Sequence, residues 1–134
     1  YAAGDVAEHK GRIYGIWPSA QRQGVIAGIN MAGGNETYAG TVPSTSLKVA
    51  GIHLTSMGDI LVEDKTVEQI QVKNPNKNIY KKLFIQDGRI IGAIFLGDTK
   101  NAYEMGQLLE KKVDVSRFKD KILETDFDIK SLLK

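Results

Sequence analysis

The sequence predicts an α+β protein, in which one helix precedes a small antiparallel sheet that a second helix covers. The first observation is an Asp-Gly pair between the apolar runs 79–86 and 89–96. Such a pair is a strong hairpin signal, because both central residues of a type I′ turn need positive φ. The second and third are two segments with helical spacing, at residues 18–31 and 98–109. One segment lies on each side of the predicted strands, which favours strands and helices in separate layers.

The first elements are a strand and a helix. Residues 1–9 predict a short buried strand that runs into a loop at Gly4-Asp5. Because a buried strand needs neighbours for its backbone groups, we expect the chain to begin inside a larger domain. Trp17-Pro18-Ser19 starts the helix, since proline is tolerated in a first turn, and Gly33-Gly34 ends it. Small residues and a methionine form one helical face: Ala20, Gly24, Ala27, Gly28 and Met31.

A linker follows the first helix. Residues 35–46 lack a helical period and are rich in turn-forming residues. We place the linker at residues 37–45, between the regions 1–36 and 46–134.

The second region begins with strands. Residues 47–54 predict one strand in which Gly51 marks a bulge. Residues 67–73 predict another, with Ile70 and Val72 on one face, and residues 74–77 form a turn before the hairpin. Asp98-Thr99 is then predicted to cap the covering helix.

Helical segments complete the chain. The covering helix carries an apolar face formed by Ala102, Met105, Leu108 and Leu109. Residues 116–123 predict a short helix with Phe118 and Ile122 inward, and residues 128–134 predict a final helical turn.

Composition excludes several classes of function. The 134 residues carry a net charge of +2, with 18 basic and 16 acidic residues interspersed. This balance argues against nucleic acid or an anionic membrane as a partner. There is no cysteine, so neither a disulfide nor a thiolate metal site can form within the chain, and we predict no metal site. Without a membrane-spanning run or a signal peptide, we expect a cytoplasmic location.

The Gly4-Asp5 pair gains meaning from the residues around it. Alone, an aspartate at a strand end is most often a turn or cap residue. Here a small-residue strand leads to Gly4-Asp5, and Tyr14-Gly15-Ile16-Trp17-Pro18 then opens a small-faced helix. This order closely resembles the second FAD-binding motif of the pyridine-nucleotide-disulfide oxidoreductase superfamily. The resemblance implies that residues 1–36 are the end of a Rossmann-type FAD-binding domain, as a strand plus a helix.

The same resemblance assigns residues to FAD. It implies that Asp5 of the Gly4-Asp5 pair accepts a hydrogen bond from a ribityl hydroxyl. It also implies that the helix start near Pro18, Ser19 and Ala20 faces the pyrimidine edge of the flavin. Gly4 and Trp17 complete the predicted cofactor-binding residues. A carboxylate suits the first task because it only accepts hydrogen bonds. A helix N-terminus suits the second because its free N–H groups and dipole favour negative charge.

Both halves of the sequence narrow the resemblance to one branch of the superfamily. Residues 11–24 and 30–34 are similar to the NADH:rubredoxin reductase and assimilatory nitrite-reductase large-subunit branch. Residues 45–52, 80–83 and 92–99 look like the rubredoxin-reductase-type C-terminal domain. The tail beyond Val113 resembles nothing that we could place.

This branch implies a flavoprotein that moves electrons from NAD(P)H through FAD to rubredoxin or a nitrite-reducing centre. The GxGxxG motif for the FAD pyrophosphate and the unit that holds NADH are both missing from the sequence. We therefore predict no catalytic residue here, and no turnover by the chain alone. Its expected partners are the remainder of the enzyme and a redox partner protein.

Alternatives remain at three places. The whole chain could be a non-catalytic interaction module that self-associates into a homo-oligomer. Lys81-Lys82 with Arg89 could bind an acidic redox partner, although lysines that protect an edge strand are the favoured interpretation. Trp17 could contact the flavin or a domain interface, or pack in a core. His9 and His53 lack a metal-ligand pattern and are expected to be ordinary histidines.

Overall fold

A computed structural model describes all of residues 1–134. The chain divides into two compact units, Tyr1–Pro43 and Ser44–Lys134. We call them the N-terminal unit and the C-terminal unit, and describe each by itself.

The N-terminal unit is built on one helix, α1 (Trp17–Met31). Pro18 lies in its first turn, as predicted, where a missing N–H breaks no intrahelical bond. The helix ends because Gly33 takes a φ of +92°, and the Gly34 N–H donates to the Ile29 carbonyl at 2.9 Å. The predicted start and stop of this helix are both confirmed.

The strand predicted for residues 1–9 is not formed. Ala3 is extended, but the chain then turns into a short 3-10 helix, Gly4–Val6. No strand of the chain pairs with this segment, whose only ladder contact is an isolated bridge between His9 and Arg12. The prediction failed because a small-residue run is typical of a strand only where a neighbouring strand supplies backbone partners.

The buried face of α1 is not the face formed by its small residues. The side chains inside are Ser19, Gln23 and Ile26, at helical spacing of four and three residues. Of the predicted small-residue face, Gly24 and Gly28 are exposed. The small-residue face is thus largely exposed in this unit, with Ala20 and Ala27 half-buried, while the buried face is largely polar.

The C-terminal unit contains one five-stranded sheet in which every neighbouring pair is antiparallel. The strands in order along the chain are β1 (Ser44–Val49), β2 (Ile52–Gly58), β3 (Glu68–Asn74), β4 (Ile79–Gln86) and β5 (Arg89–Leu96). Their order across the sheet is β1-β2-β5-β4-β3, so β1 and β3 form the edges.

The β4–β5 hairpin is confirmed with the predicted bounds. Its two-residue turn has φ of +50° at Asp87 and +73° at Gly88, as a type I′ turn requires. A Cβ at Gly88 would lie 2.2 Å from the Ser116 hydroxyl. Glycine is therefore required here by both the φ angle and the neighbouring chain.

The single strand predicted for residues 47–54 is two strands. β1 and β2 form a second hairpin around Ala50-Gly51, where φ is +49° and +80°. Gly51 is thus a turn residue and not a bulge. The pattern misled because alanine rarely adopts a left-handed conformation and gives no turn signal.

One face of the sheet is covered by the second helix, α2 (Ala102–Glu110). Its predicted apolar face is confirmed, since Ala102, Met105, Leu108 and Leu109 are all buried. The facing side of the sheet contributes fully or almost fully buried side chains of Met57, Leu83, Ala93 and Phe95. This layer is the core of the C-terminal unit.

The start of α2 lies later than predicted. Asp98-Thr99 does not cap the helix, which begins after Asn101 in a left-handed conformation, with φ of +67°. The Asp98 carboxylate is instead bonded to Lys81 and to the backbone N–H of Lys100. The Asp98 side chain, which the sequence assigned to the helix cap, is paired with Lys81 of β4.

The C-terminal tail folds onto the unit without a further α-helix. Residues 116–123 form successive turns and not the predicted helix, although Ile122 is 1% exposed, as its inward assignment required. The predicted final turn is present as a 3-10 helix, Ile129–Leu133. Neither α1 nor α2 combines the length and apolar character that a membrane-crossing helix requires.

Candidate functional site

The five residues predicted to bind a cofactor lie in two segments of the N-terminal unit. Gly4 and Asp5 lie in the 3-10 turn, whereas Trp17, Ser19 and Ala20 lie in the first turn of α1. These two segments are adjacent, because a Cβ built on Gly4 would lie 3.5 Å from the Ala20 Cβ. The structure therefore brings the Gly-Asp turn against the beginning of the helix.

Gly4 has an unusual backbone conformation. Its φ of +82° lies in the left-handed region, where glycine is far more stable than any residue with a Cβ. The Gly4 carbonyl accepts a hydrogen bond from the Ala7 N–H at 2.9 Å, which closes the turn. The Asp5 carboxylate that follows is exposed and can accept hydrogen bonds from a ligand.

Ser19 is a buried polar side chain without a partner. It is 1% exposed, and its Oγ forms no hydrogen bond. A buried hydroxyl left unpaired costs about 1–3 kcal/mol, so such groups usually have a role. Ser19 lies in the first turn of α1, where backbone N–H groups have no intrahelical partner.

Trp17 is 75% exposed at the first residue of α1. The interpretation of this indole as a core side chain is therefore wrong. An exposed aromatic ring at a helix start offers a flat surface for a ring-shaped ligand or for another polypeptide.

Sequence reasoning missed Gln23. This side chain is 7% exposed, and its Oε1 accepts a hydrogen bond from the Gly4 N–H at 2.7 Å. One signal could have found it, since Gln23 follows Ser19 by four residues and so lies on the same helical face.

A cavity of about 390 Å³ opens elsewhere in the same unit. It is lined in part by His9, Gln23, Asn30 and Tyr38, but by none of the five predicted residues. The imidazole of His9 packs edge-on against Tyr38, and its Nε2 is buried without a hydrogen bond. His9 is half-buried, whereas His53 is exposed. No cluster of three His, Asp or Glu side chains could hold a metal ion.

In the C-terminal unit, the edge-strand interpretation of the Lys81-Lys82 pair is wrong, and the basic-patch interpretation fails for Lys81 but stays untested for Lys82 and Arg89. β4 is an inner strand, so the lysines do not protect an edge. Lys81 is only 6% exposed and cannot contribute to a surface patch. Its ammonium group lies 2.7 Å from the Asp98 carboxylate and 5.8 Å from the centre of the Phe95 ring.

Opposing effects act on the pKa of the Asp98 carboxylate. Burial alone would raise its pKa, but hydrogen bonds from Lys81 and from the Lys100 backbone lower it. The positive charges of both lysines lower it further, and the resulting pKa is below the ordinary aspartate value. This ion pair connects β4 to the segment before α2, which makes it a stabilising contact of the fold.

Comparison with known proteins gives the class of this fold. The family described as the rubredoxin NAD+ reductase C-terminal domain matches residues 43–113. The crystal structure of NADH:rubredoxin oxidoreductase from Clostridium acetobutylicum superimposes with a TM-score of 0.67 at 29% identity. The matched part covers 94% of this chain and 32% of that structure.

Two curated relatives come from Bacillus subtilis (strain 168). The chain is 35% identical over 127 residues to its assimilatory nitrate reductase electron transfer subunit, covering 94% of this chain and 16% of the relative. It is 33% identical over 117 residues to the nitrite reductase (NAD(P)H), covering 87% of this chain and 14% of the relative.

The chain belongs to the family of the rubredoxin NAD+ reductase C-terminal domain. Its predicted membership of the NADH:rubredoxin reductase and nitrite reductase branch is thereby confirmed. It spans 16% or less of the length of the two Bacillus relatives.

Proposed function

We propose that this chain is the C-terminal part of a flavoprotein that moves electrons from NAD(P)H through FAD to an acceptor. Within it, the Gly4-Asp5 turn and the start of α1 contribute to the FAD site. The C-terminal unit is the domain that follows this site. The acceptor would be a rubredoxin-like protein or a nitrite-reducing centre, as in the enzymes that the chain resembles.

The residues present fit an extended polar cofactor. The single observation that carries the proposal is the Gly4-Asp5 turn, which lies close to Ala20 at the start of α1 and leaves the Asp5 residue exposed. A carboxylate only accepts hydrogen bonds, so it suits a ligand with hydroxyl donors. FAD carries such hydroxyls on its ribityl chain.

Each residue would have a separate task. Asp5 would hold a ribityl hydroxyl in one orientation, while the free N–H groups at the start of α1 would favour negative charge on the ring system. Gly4 would allow close approach of the chain, and the exposed Trp17 ring would limit access of water. FAD itself supplies acceptance of a hydride and release of electrons, which no side chain of this protein provides.

Similarity to known proteins also supports this proposal. The proteins that match most of the chain are named as electron-transfer, nitrite reductase and rubredoxin reductase proteins. Two of the nucleotide-binding elements expected of such enzymes are missing from these 134 residues. We infer that the chain alone has no NAD(P)H turnover and does not retain FAD.

The test uses the protein encoded by the complete reading frame around this sequence. We expect it to purify with FAD, and we expect Asp5→Ala to reduce FAD affinity about tenfold or more, since the ribityl hydroxyl loses its charged acceptor. Asp120→Ala is the matched control, because Asp120 is also exposed and lies in the C-terminal unit. Equal FAD affinity in both variants would contradict the proposal.

A second experiment addresses the isolated chain. We expect residues 1–134 to be colourless after purification and inactive towards NADH with added FAD. A yellow preparation that oxidises NADH would show that the chain is a complete flavoenzyme by itself.

Edge strand β1 favours a second candidate function, a self-association module. Leu47 and Val49 share one face of this strand and are 52% and 57% exposed. An uncovered edge strand with apolar side chains is a template for pairing with another chain. Light scattering on the wild type and on Leu47→Lys/Val49→Lys would decide, since only a dimer that uses β1 dissociates in the variant.

A further inference from the structure

Gln23 is a polar side chain in an unusual place. Glutamine side chains are mostly exposed to solvent, yet Gln23 is 7% exposed and lies on the buried face of α1. Its Oε1 accepts the hydrogen bond from the Gly4 N–H, 19 positions earlier in the chain, at 2.7 Å. A buried amide group held in this way restricts both the helix and the turn.

Both backbone hydrogen-bonding groups of Gly4 have partners. Its N–H donates to Gln23 and its carbonyl accepts from Ala7. The turn also lies close to Ala20, whose Cβ would be 3.5 Å from a Cβ built on Gly4. The Gly4 N–H has no partner on a neighbouring strand, so the glutamine takes the role that a sheet would otherwise have. Without this acceptor, the Gly4 N–H loses the hydrogen bond that connects the turn to α1.

We infer that Gln23 is a positioning residue that fixes the Gly4-Asp5 turn, and with it the Asp5 carboxylate, against α1. This inference rests on the proposed FAD site, and extends it to a residue that need not touch the cofactor. A carboxylate that is already in place binds a ligand without a further entropic cost of ordering the turn. The orientation of Asp5 is therefore set by the Gln23 amide oxygen.

The experiment measures FAD affinity in the protein encoded by the complete reading frame. Gln23→Leu removes the acceptor and keeps the size of the side chain nearly constant, whereas Gln23→Glu keeps an acceptor oxygen. We expect Gln23→Leu to weaken FAD binding about tenfold, which is the typical loss when a residue that orients a ligand-contacting side chain is removed. Gln23→Glu should stay within about threefold of the wild type, and so should Gln21→Leu, an exposed position on the same helix.

A double-mutant cycle with Asp5→Ala separates positioning from a general structural role. If Gln23 acts through Asp5, then Gln23→Leu has little further effect on FAD affinity in the Asp5→Ala background. If Gln23 only stabilises the helix, Gln23→Leu lowers the melting temperature of the apoprotein, and it either leaves FAD affinity unchanged or weakens it by the same factor in both backgrounds. Multiplicative effects, or an unchanged affinity in Gln23→Leu, would overturn the inference.

Failure of the proposed function gives a different result. In that case, Asp5→Ala leaves FAD affinity unchanged, or the wild type binds no FAD. If Asp5→Ala weakens binding while Gln23→Leu does not, the FAD site stands and only the role of Gln23 is wrong.

Discussion

The two units differ most in the chemistry of their buried side chains. The C-terminal unit buries large apolar residues, and Phe95, Leu83 and Leu108 are all 1% exposed or less. In the N-terminal unit, Ile26 is the only buried apolar side chain, and it lies beside the polar Ser19 and Gln23. One unit has the core of a stable domain, whereas the other buries polar groups in a specific arrangement.

Exposed apolar residues show the same difference. Among large side chains, the N-terminal unit exposes seven over 43 residues, and the C-terminal unit five over 91. The seven are Tyr1, Val6, Ile13, Trp17, Val25, Ile29 and Met31. The N-terminal unit therefore has less apolar burial to stabilise it than the C-terminal unit.

The largest expected effect would break the C-terminal core. Leu108→Ala removes a fully buried side chain of α2 and should lower the free energy of unfolding by about 2–5 kcal/mol. Ile26→Ala, in the other unit, should change the unfolding of the sheet by less than about 0.5 kcal/mol. Urea unfolding followed by circular dichroism of the strands measures both. Equal losses in the two variants would mean that the units share one cooperative core.

A smaller effect would test the ion pair inside the C-terminal unit. Asp98→Asn leaves the Lys81 ammonium buried without its carboxylate and should cost about 1–3 kcal/mol at neutral pH. Lys81→Met should cost less, because Asp98 is 30% exposed and can be solvated.

The pH dependence of this pair has a definite sign. Because the pKa of Asp98 is lowered in the folded state, its contribution is complete above the unfolded pKa and is lost as pH falls through the folded one. The stability difference between wild type and Asp98→Asn should therefore be constant near neutrality and shrink below about pH 4. A difference that grows on acidification would show that the carboxylate is protonated in the folded protein.

The smallest expected effect concerns the β1–β2 turn. Ala50 has a φ of +49°, which is strained for alanine, and a Cβ at the adjacent Gly51 would meet nothing within 4 Å. Ala50→Asn should stabilise the C-terminal unit by about 0.5–1 kcal/mol, because asparagine tolerates this conformation better. The melting temperature reports the change. Gly51→Ala is the opposite control and should lower it.

The sequence predicted those elements whose signals are local. Asp87-Gly88 carries its turn type in its own residues, and the spacing of Met105 and Leu108 fixes the buried face of α2. Ala50-Gly51 is the same kind of turn with a weaker signal, so two strands were interpreted as one. The ion pair between Asp98 and Lys81 was not predicted, because the two residues are distant in the sequence and no local pattern indicates their pairing.

The candidate site shows the same division. The resemblance located Gly4, Asp5 and the start of α1, which the structure brings together. It did not reveal Gln23, because the bond from Gly4 exists only after helix and turn have packed. The predicted strand before Gly4 is not formed, because a strand needs neighbouring strands as hydrogen-bond partners and no strand of this chain pairs with it.

Native-state hydrogen exchange on the chain tests the difference between the units most directly. We expect the amides of β4, β5 and α2 to exchange only through global unfolding of the C-terminal unit. The amides of α1 should be at least about tenfold less protected, since that helix buries little apolar surface. Protection of α1 equal to that of β5 would contradict the account, because both units would then unfold as one.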